Sequence, residues 1–349
     1  MTEAEFLAAL RKLPLHPGAT SLADDVARLD GLVLTTDTIV EGVHYLTDDA
    51  PADIAWKLVA VNLSDLAAKG ATPEGVLLNY PLAPSAGAGF ASRKPEKTPP
   101  RSTAATLPSG SAVNGLVART TLDPLLHAQP GTLPAGWDGE FVAGLAQALK
   151  AFACPLFGGD TVSLPAGAPR VITLTAIGRV STVPARTGAR AGDTLYVTGT
   201  IGDAGAGLRI ARGEPGPAAL LAAYRRPQPR LAEGGILAPL VHAMMDVSDG
   251  LLIDAARMTE ASGLALTIDL AAVPLSPAYR AFAGEDRAAR LAAATAGDDY
   301  QLLFAAPAAL ALPIPATPVG TFAVGTGIAL TDDETPVELP GSLGFTHRV

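Results

Sequence analysis

Short apolar runs alternate with helical stripes along this chain. The run GLVLTT, Gly31 to Thr36, is β-rich and stops at Asp37, as a strand feeding a polar loop does. Apolar Ile54, Leu58, Val61 and Leu66 have helical spacing and predict a helix over Asp53 to Lys69, closed by Gly70 and Pro73. A strand over Gly75 to Tyr80, a helix over Glu140 to Phe152, a short strand at Pro155 to Phe157 and a longer one over Arg170 to Val180 follow.

The segment VPARTGARAGD, Val183 to Asp193, is rich in Pro, Gly and Arg and suits an interdomain crossover. The expected units are therefore residues 1–183 and 184–349. Beyond the crossover, Thr194 to Thr198 predicts a strand, and GTIGDAGAGLRIAR a glycine loop running into a helix. MMD ends a strand, Leu251 to Ala261 is a helix, and Leu264 to Ile268 and Tyr300 to Ala305 are strands. Strands mixed with helices in both halves predict α+β or α/β layers. One stretch, 84–133, has no sustained periodicity and a local charge of +3, from five basic and two acidic residues. It reads as a flexible surface insertion.

Composition narrows the functional classes. The 349 residues carry 25 Lys+Arg against 34 Asp+Glu, a net charge of −9, which argues against a nucleic-acid partner. At 48% hydrophobic and 17% charged residues, the chain has the material for a buried core. A single cysteine, Cys154, excludes a disulfide framework or a multi-thiolate metal site and points to a reducing compartment. No apolar run is long enough to span a bilayer, and the start MTEAEFLAALRKL is not a basic-then-apolar signal, so a cytoplasmic protein without a membrane partner is expected.

Several aspartates fall where apolar runs stop: Asp24, Asp25, Asp37, Asp65, Asp160, Asp246 and Asp249. Singly, each reads as a turn former. Asp65, however, follows Val61 by one helical turn and sits near the helix C-terminus, where the macrodipole disfavours negative charge. It calls for a compensating cation, and Lys57 and Lys69 flank its helix. If the carboxylates converge, each like-charge pair at about 4 Å costs roughly 4 kcal/mol at an effective dielectric of 20. All-oxygen ligands, with Thr35 and Thr36 as helpers, suit Mg²⁺, which usually completes its shell with phosphates.

The familiar phosphate-binding loops are absent: there is neither a G-x-x-x-x-G-K-[ST] nor a G-x-G-x-x-G opening a helix. The glycine passage Gly199, Gly202, Gly205, Gly207 reads either as a plain turn or as a receiver of phosphate on backbone N–H groups. Gly158-Gly159-Asp160 combines close backbone approach with a charge for metal. No protein nucleophile stands out, and Cys154 has an apolar context that favours an inert thiol. Carboxylates and metal without a nucleophile fit phosphoryl transfer to an acceptor that is already ionised.

These segments resemble those of thiamine-monophosphate kinases, in the superfamily of aminoimidazole ribonucleotide synthetase. The matching stretches are ADD at Ala23, TTDTIVEGVHY at Thr35, VNLSDLAAKGATP at Val61, FGGDT at Phe157, RTGARAGDTLYVTGTIGDAGAGL at Arg186, DVSDGL at Asp246 and AGDDYQLLF at Ala296. The resemblance implies an N-terminal α+β domain whose strands pair with a second subunit's to form a dimer barrel, and a C-terminal α/β sandwich, with the site in the cleft between them. It implies that Asp25, Thr35, Thr36, Asp37, Asp65, Asp160, Asp246 and Asp249 bind Mg²⁺, and that Gly159, Asp160, Arg186 and Ser248 contact the nucleotide. His44, Asp298 and Phe345 would contact the substrate. Where the family typically has Glu, this chain has the shorter Asp298.

The implied reaction transfers phosphate from ATP to thiamine monophosphate, in a homodimer. Phe345 would meet the thiazolium by a cation–π contact, or simply pack near the C-terminus. A ligase or cyclase of the same superfamily and an inactive nucleotide-binding relative are the other readings.

Overall fold

The computed structural model describes residues 3–83 and 136–346, so the 84–133 stretch lies outside the described residues. In the first half, helix α1 (Glu3–Leu10) precedes strands β1 (Ala27–Leu29) and β2 (Leu32–Val40), helix α2 (Pro51–Ala68) and strand β3 (Thr72–Leu82). Helix α3 (Trp137–Ala151), β4 (Leu156–Ser163) and β5 (Val171–Arg179) complete it. The five strands form one sheet in the order β1-β2-β5-β3-β4, antiparallel except for the β3–β4 pair. Alternation along β2 buries Val33, Thr35 and Ile39 and leaves Thr36 and Thr38 exposed, so one face meets the helices.

The second half runs β6 (Asp193–Val197), α4 (Asp203–Ala211), α5 (Ala218–Arg225), α6 (Leu231–Leu237), β7 (Ala243–Asp246), α7 (Leu251–Ser262) and β8 (Ala265–Asp269). Then come α8 (Pro277–Ala283), α9 (Arg287–Thr295), β9 (Leu302–Pro307), β10 (Thr317–Ala323), β11 (Gly327–Asp332) and β12 (Thr335–Val337). Its seven-stranded sheet has the order β12-β11-β8-β10-β6-β9-β7, in which only β8 and β11 are parallel. The mixed two-sheet architecture agrees with the expected class.

Helix α2 is the spine. Buried side chains occupy 13 of its 18 positions, because it packs on both halves. Leu58 and Leu63 join Val33, Val76 and Ile172 in the first core, while Ala67 and Ala68 belong to a separate cluster with Leu237, Met244 and Phe304 of the second half. Close contact with α6 requires a glycine there: a Cβ on Gly234 would overlap the Ala67 carbonyl. Proline at the first helical position starts α2, and Gly70, at φ +64°, turns the chain out of it.

Three strands exceed their predicted lengths, β3 among them, at 72–82 against 75–80. The apolar signal at 31–36 continues through the polar TDT of β2, since pairing with β5 runs in register from Leu32↔Arg179 to Val40↔Val171. The short strand at 155–157 extends through Gly158-Gly159-Asp160, because β4 pairs with β3 along its length. Gly159 is needed for this pairing itself, as a Cβ would overlap the Leu78 carbonyl.

Candidate active site

A cavity of about 1200 Å³ lies between the two halves, and it gathers every residue that the family resemblance assigns to the site except Gly159 and Asp160. Those two lie on the exposed edge strand β4, where Asp160 pairs with Asn79, and they do not line the cavity.

Helix α2 presents Lys57, Val61 and Asp65 to the cavity, one stripe at i, i+4 and i+8. Asp65 is half-buried, and the Thr35 hydroxyl donates to its Oδ2. Asp37 projects from β2 on the same face as Thr35, with its backbone N–H donating to Asn62 Oδ1 at 3.1 Å. Thr36 turns to the other face, and its hydroxyl donates to the Leu174 carbonyl at 3.2 Å. From the second half, β7 ends at Asp246, whose Oδ2 accepts from the Ser64 hydroxyl at 2.5 Å. Asp249 follows in the turn before α7 and pairs with Arg257 at 2.5 Å.

Three of these carboxylates are poorly compensated. Burial, reinforced by Asp249, pushes Asp37 from the usual 3.8 up to about 6. Burial raises Asp246 to about 6 as well, with Ser64 opposing and Asp254 and Asp37 adding repulsion. Asp65 is held well above the carboxylate range by burial and then by Asp37 and Asp246, against the pull of Thr35 and Lys69. Mutual repulsion among buried anions marks a site that a hard cation would complete.

The flanking lysines do not pair with Asp65. Lys69, fully buried, binds Asp24 at 2.6 Å, Asp25 at 3.1 Å and the Met244 carbonyl at 3.3 Å. Asp25 also pairs with Arg186. Desolvation, with Arg257 nearby, lowers the Arg186 pKa, and the surrounding aspartates oppose that. Lys57 reaches Asp298 instead, at 2.7 Å. Among the described residues, no three His, Cys, Asp or Glu side chains already converge on one metal position. Asp25, Asp246 and Asp249 are each engaged by a protein donor. The donor set nevertheless fits a hard divalent ion: it is entirely oxygen, from carboxylates and the Thr35 hydroxyl, with negative charge in excess.

At the other end, His44 Nδ1 accepts from the Val40 N–H at 3.0 Å, and Asp298 Oδ1 accepts from the Tyr300 hydroxyl at 2.9 Å. Phe345 is 43% exposed on the cavity wall, its N–H donating to the Asp249 carbonyl at 2.9 Å. Ser248 lines the cavity, and its carbonyl accepts from the Asp298 N–H at 2.7 Å.

Two buried carboxylates that hold turns bordering the cavity, Asp254 and Asp299, were not among the expected site residues. Asp254 Oδ2 accepts from the N–H groups of Ser248, Asp249 and Gly250 at 3.0–3.2 Å, and its Oδ1 meets Arg257 at 2.8 Å. An acid in the first turn of a helix was its only signal. Asp299 accepts from Gly202 N–H at 2.8 Å and Ala204 N–H at 3.4 Å. The start of α4 is thereby capped by the protein's own anion, which favours the plain-turn reading of that glycine passage. Cys154 is buried with its thiol pushed up to about 12 by desolvation, as its apolar context implied.

Two mixed α/β halves around an acidic interdomain cleft define an AIR synthase related protein: the family's N-terminal domain matches residues 23–92 and 112–180, and its C-terminal domain matches residues 190–332. The thiamine-monophosphate kinase of Caulobacter vibrioides is 34% identical over 371 residues, covering 99% of this chain and 91% of that protein. That of Escherichia coli (strain K12) is 33% identical, covering 82% of this chain and 76% of that protein. Among solved structures, AaThiL complexed with AMPPCP and TMP superposes with a TM-score of 0.75 at 26% identity, over 98% of this chain and 96% of that one. The chain belongs to the thiamine-monophosphate kinase family and is a kinase.

Proposed function

We propose that this protein transfers the γ-phosphoryl group of ATP directly to thiamine monophosphate, giving thiamine diphosphate and ADP, with Mg²⁺ as cofactor. The observation that carries the reading is the meeting of Asp25, Asp37, Asp65, Asp246 and Asp249, drawn from both halves, on one cavity. Relatives named thiamine-monophosphate kinase and a solved relative complexed with AMPPCP and TMP support the substrates.

The five carboxylates, with Thr35, would hold Mg²⁺, and Thr36 is assigned to it by resemblance alone. Bound there, it supplies neutralisation of phosphate charge. The remaining work falls to the chain. A phosphate oxygen of thiamine monophosphate attacks the γ-phosphorus in line while the bond to the β,γ-bridging oxygen breaks and ADP leaves. The attacking oxygen is already anionic, so no general base is required, in keeping with the absence of a candidate nucleophile. Arg186 and Ser248 would orient the nucleotide, and His44, Asp298 and Phe345 the thiamine moiety.

Gly159 and Asp160 are assigned to nucleotide and metal by resemblance alone. Their strand is one edge of the first sheet and exposes Leu156, Phe157 and Val162. Among the described residues this edge is unpaired, and an apolar edge favours association, so we assign the homodimer to this sheet. The single cysteine supports a cytoplasmic setting.

The test is direct. Purified protein with ATP, Mg²⁺ and thiamine monophosphate should yield ADP and thiamine diphosphate in equal amounts, while thiamine and aminoimidazole precursors should not. No product from thiamine monophosphate would overturn the reading.

A further inference from the structure

We propose that Lys57 is a positioning residue for thiamine monophosphate: from α2 in the first half, its ammonium grips Asp298 of the second half and the His44 carbonyl, and so sets the wall against which the cationic part of the substrate rests. This inference rests on the function proposed above. Lys57 is only 3% exposed, yet it faces the cavity. A desolvated ammonium is costly unless its donors are satisfied. Here they are: Asp298 Oδ2 lies at 2.7 Å, the His44 carbonyl oxygen at 3.0 Å, and the ring of Tyr224 at 4.3 Å from the nitrogen.

The grip has consequences for Asp298. Its backbone is left-handed, at φ 68°, and its N–H is spent on the Ser248 carbonyl. With Tyr300 on one carboxylate oxygen and Lys57 on the other, the side chain is held in one pose. It still keeps 32% of its side-chain surface, which leaves lone pairs for a cation in the cavity. Lys57 also fixes the His44 carbonyl, so one ammonium ties together two residues proposed to touch the substrate. Their neighbourhood is braced across the halves by Arg225 to Asp49 at 3.0 Å, Arg226 to Asp53 at 2.5 Å and Trp56 Nε1 to the Pro227 carbonyl at 3.0 Å. Lys57 differs from these braces in lining the cavity itself. Its place on the stripe, two turns before Asp65, sets it about 12 Å from that carboxylate along the axis. It therefore serves the end remote from the acidic cluster.

The role predicts a split. Lys57→Met, which keeps length and removes charge, should weaken thiamine monophosphate at least about tenfold, in KM and in calorimetric Kd measured without ATP, while KM for ATP stays within about threefold. If Lys57 acts through Asp298, the variant K57M/D298N should bind no worse than about threefold below the poorer single variant. Lys57→Gln, which retains a donor, should lose less, again on the thiamine side only, and it serves if the Met variant fails to fold.

Unchanged or tighter thiamine monophosphate binding would overturn the role, since it would mean that Lys57 merely masks Asp298. Equal losses for both substrates, or losses that multiply in the double variant, would overturn it too, as signs of a structural part. If the unaltered protein neither binds nor phosphorylates thiamine monophosphate, the functional reading fails and takes this inference with it. Normal turnover by the unaltered protein with no split in the variants sinks the inference alone.

Discussion

The two ends of the cavity stripe on α2 solve opposite problems with the same helix. At Lys57 charge is matched: one ammonium meets one carboxylate, a carbonyl and an aromatic face, and the assembly is complete without a ligand. At Asp65 it is not, because Asp37, Asp65 and Asp246 repel one another with only hydroxyls and the more distant Lys69 to oppose them. A folded protein keeps such an imbalance only where something else supplies the missing charge, and the cavity opens on that side toward both halves. The matched end is built to hold a shape, and the unmatched end to hold a cation.

The sharpest way to break the contrast is at Asp65. Asp65→Asn removes one of three repelling charges and leaves the volume and the acceptor for Thr35. Turnover should fall at least about a hundredfold, the scale of losing a charge-stabilising group, while the melting temperature stays the same or rises. Steady-state kinetics beside thermal melting decides it, and unchanged turnover would remove the metal role of the acidic end.

A second test uses protons as competitors. Asp37 and Asp246 titrate near 6 in the folded chain against an ordinary 3.8. A raised folded-state pKa contributes stability that is full below about 3.8 and lost as the pH rises through about 6. Without divalent metal, the melting temperature should therefore fall between roughly pH 4 and 6.5 and level off above, and saturating Mg²⁺ should offset the loss. The apparent Kd for Mg²⁺, from calorimetry, should be at least about tenfold weaker at pH 5 than at pH 7.5. A metal affinity flat in pH would make both ends alike and break the comparison.

How legible each end was follows from the same physics. The acidic end announced itself because carboxylates at the ends of apolar runs are conspicuous, and Asp65 on the Val61 face of a helix is hard to place as a turn former. What local pattern does not carry is partner choice. Lys57 and Lys69 were legible as cations beside Asp65, but which anion each meets depends on where the ADD turn and the 298–300 turn fold back, over separations of 44 and 241 residues. Asp299 was invisible for that reason, since its partners Gly202 and Ala204 lie nearly a hundred residues upstream. In the fold, strands with apolar alternation were readable, whereas the polar continuations TDT in β2 and GGDT in β4 are strands only because a neighbouring strand pairs with them.

The mildest effect is expected at Phe345, where the sequence allowed either a contact to the thiazolium or simple packing. The structure bears on the choice: the side chain is 43% exposed and lines the cavity, so it contributes little to a core. A cation–π contact contributes about 0.5–2 kcal/mol, so Phe345→Leu, which keeps an apolar side chain but loses the ring face, should weaken thiamine monophosphate binding about three- to tenfold. KM for ATP and the melting temperature should hardly move, because little buried surface is lost. The opposite pattern, a lowered melting temperature with unchanged binding, would mean that Phe345 packs instead. The matched end would then rest on Lys57, Asp298 and His44 without an aromatic contribution.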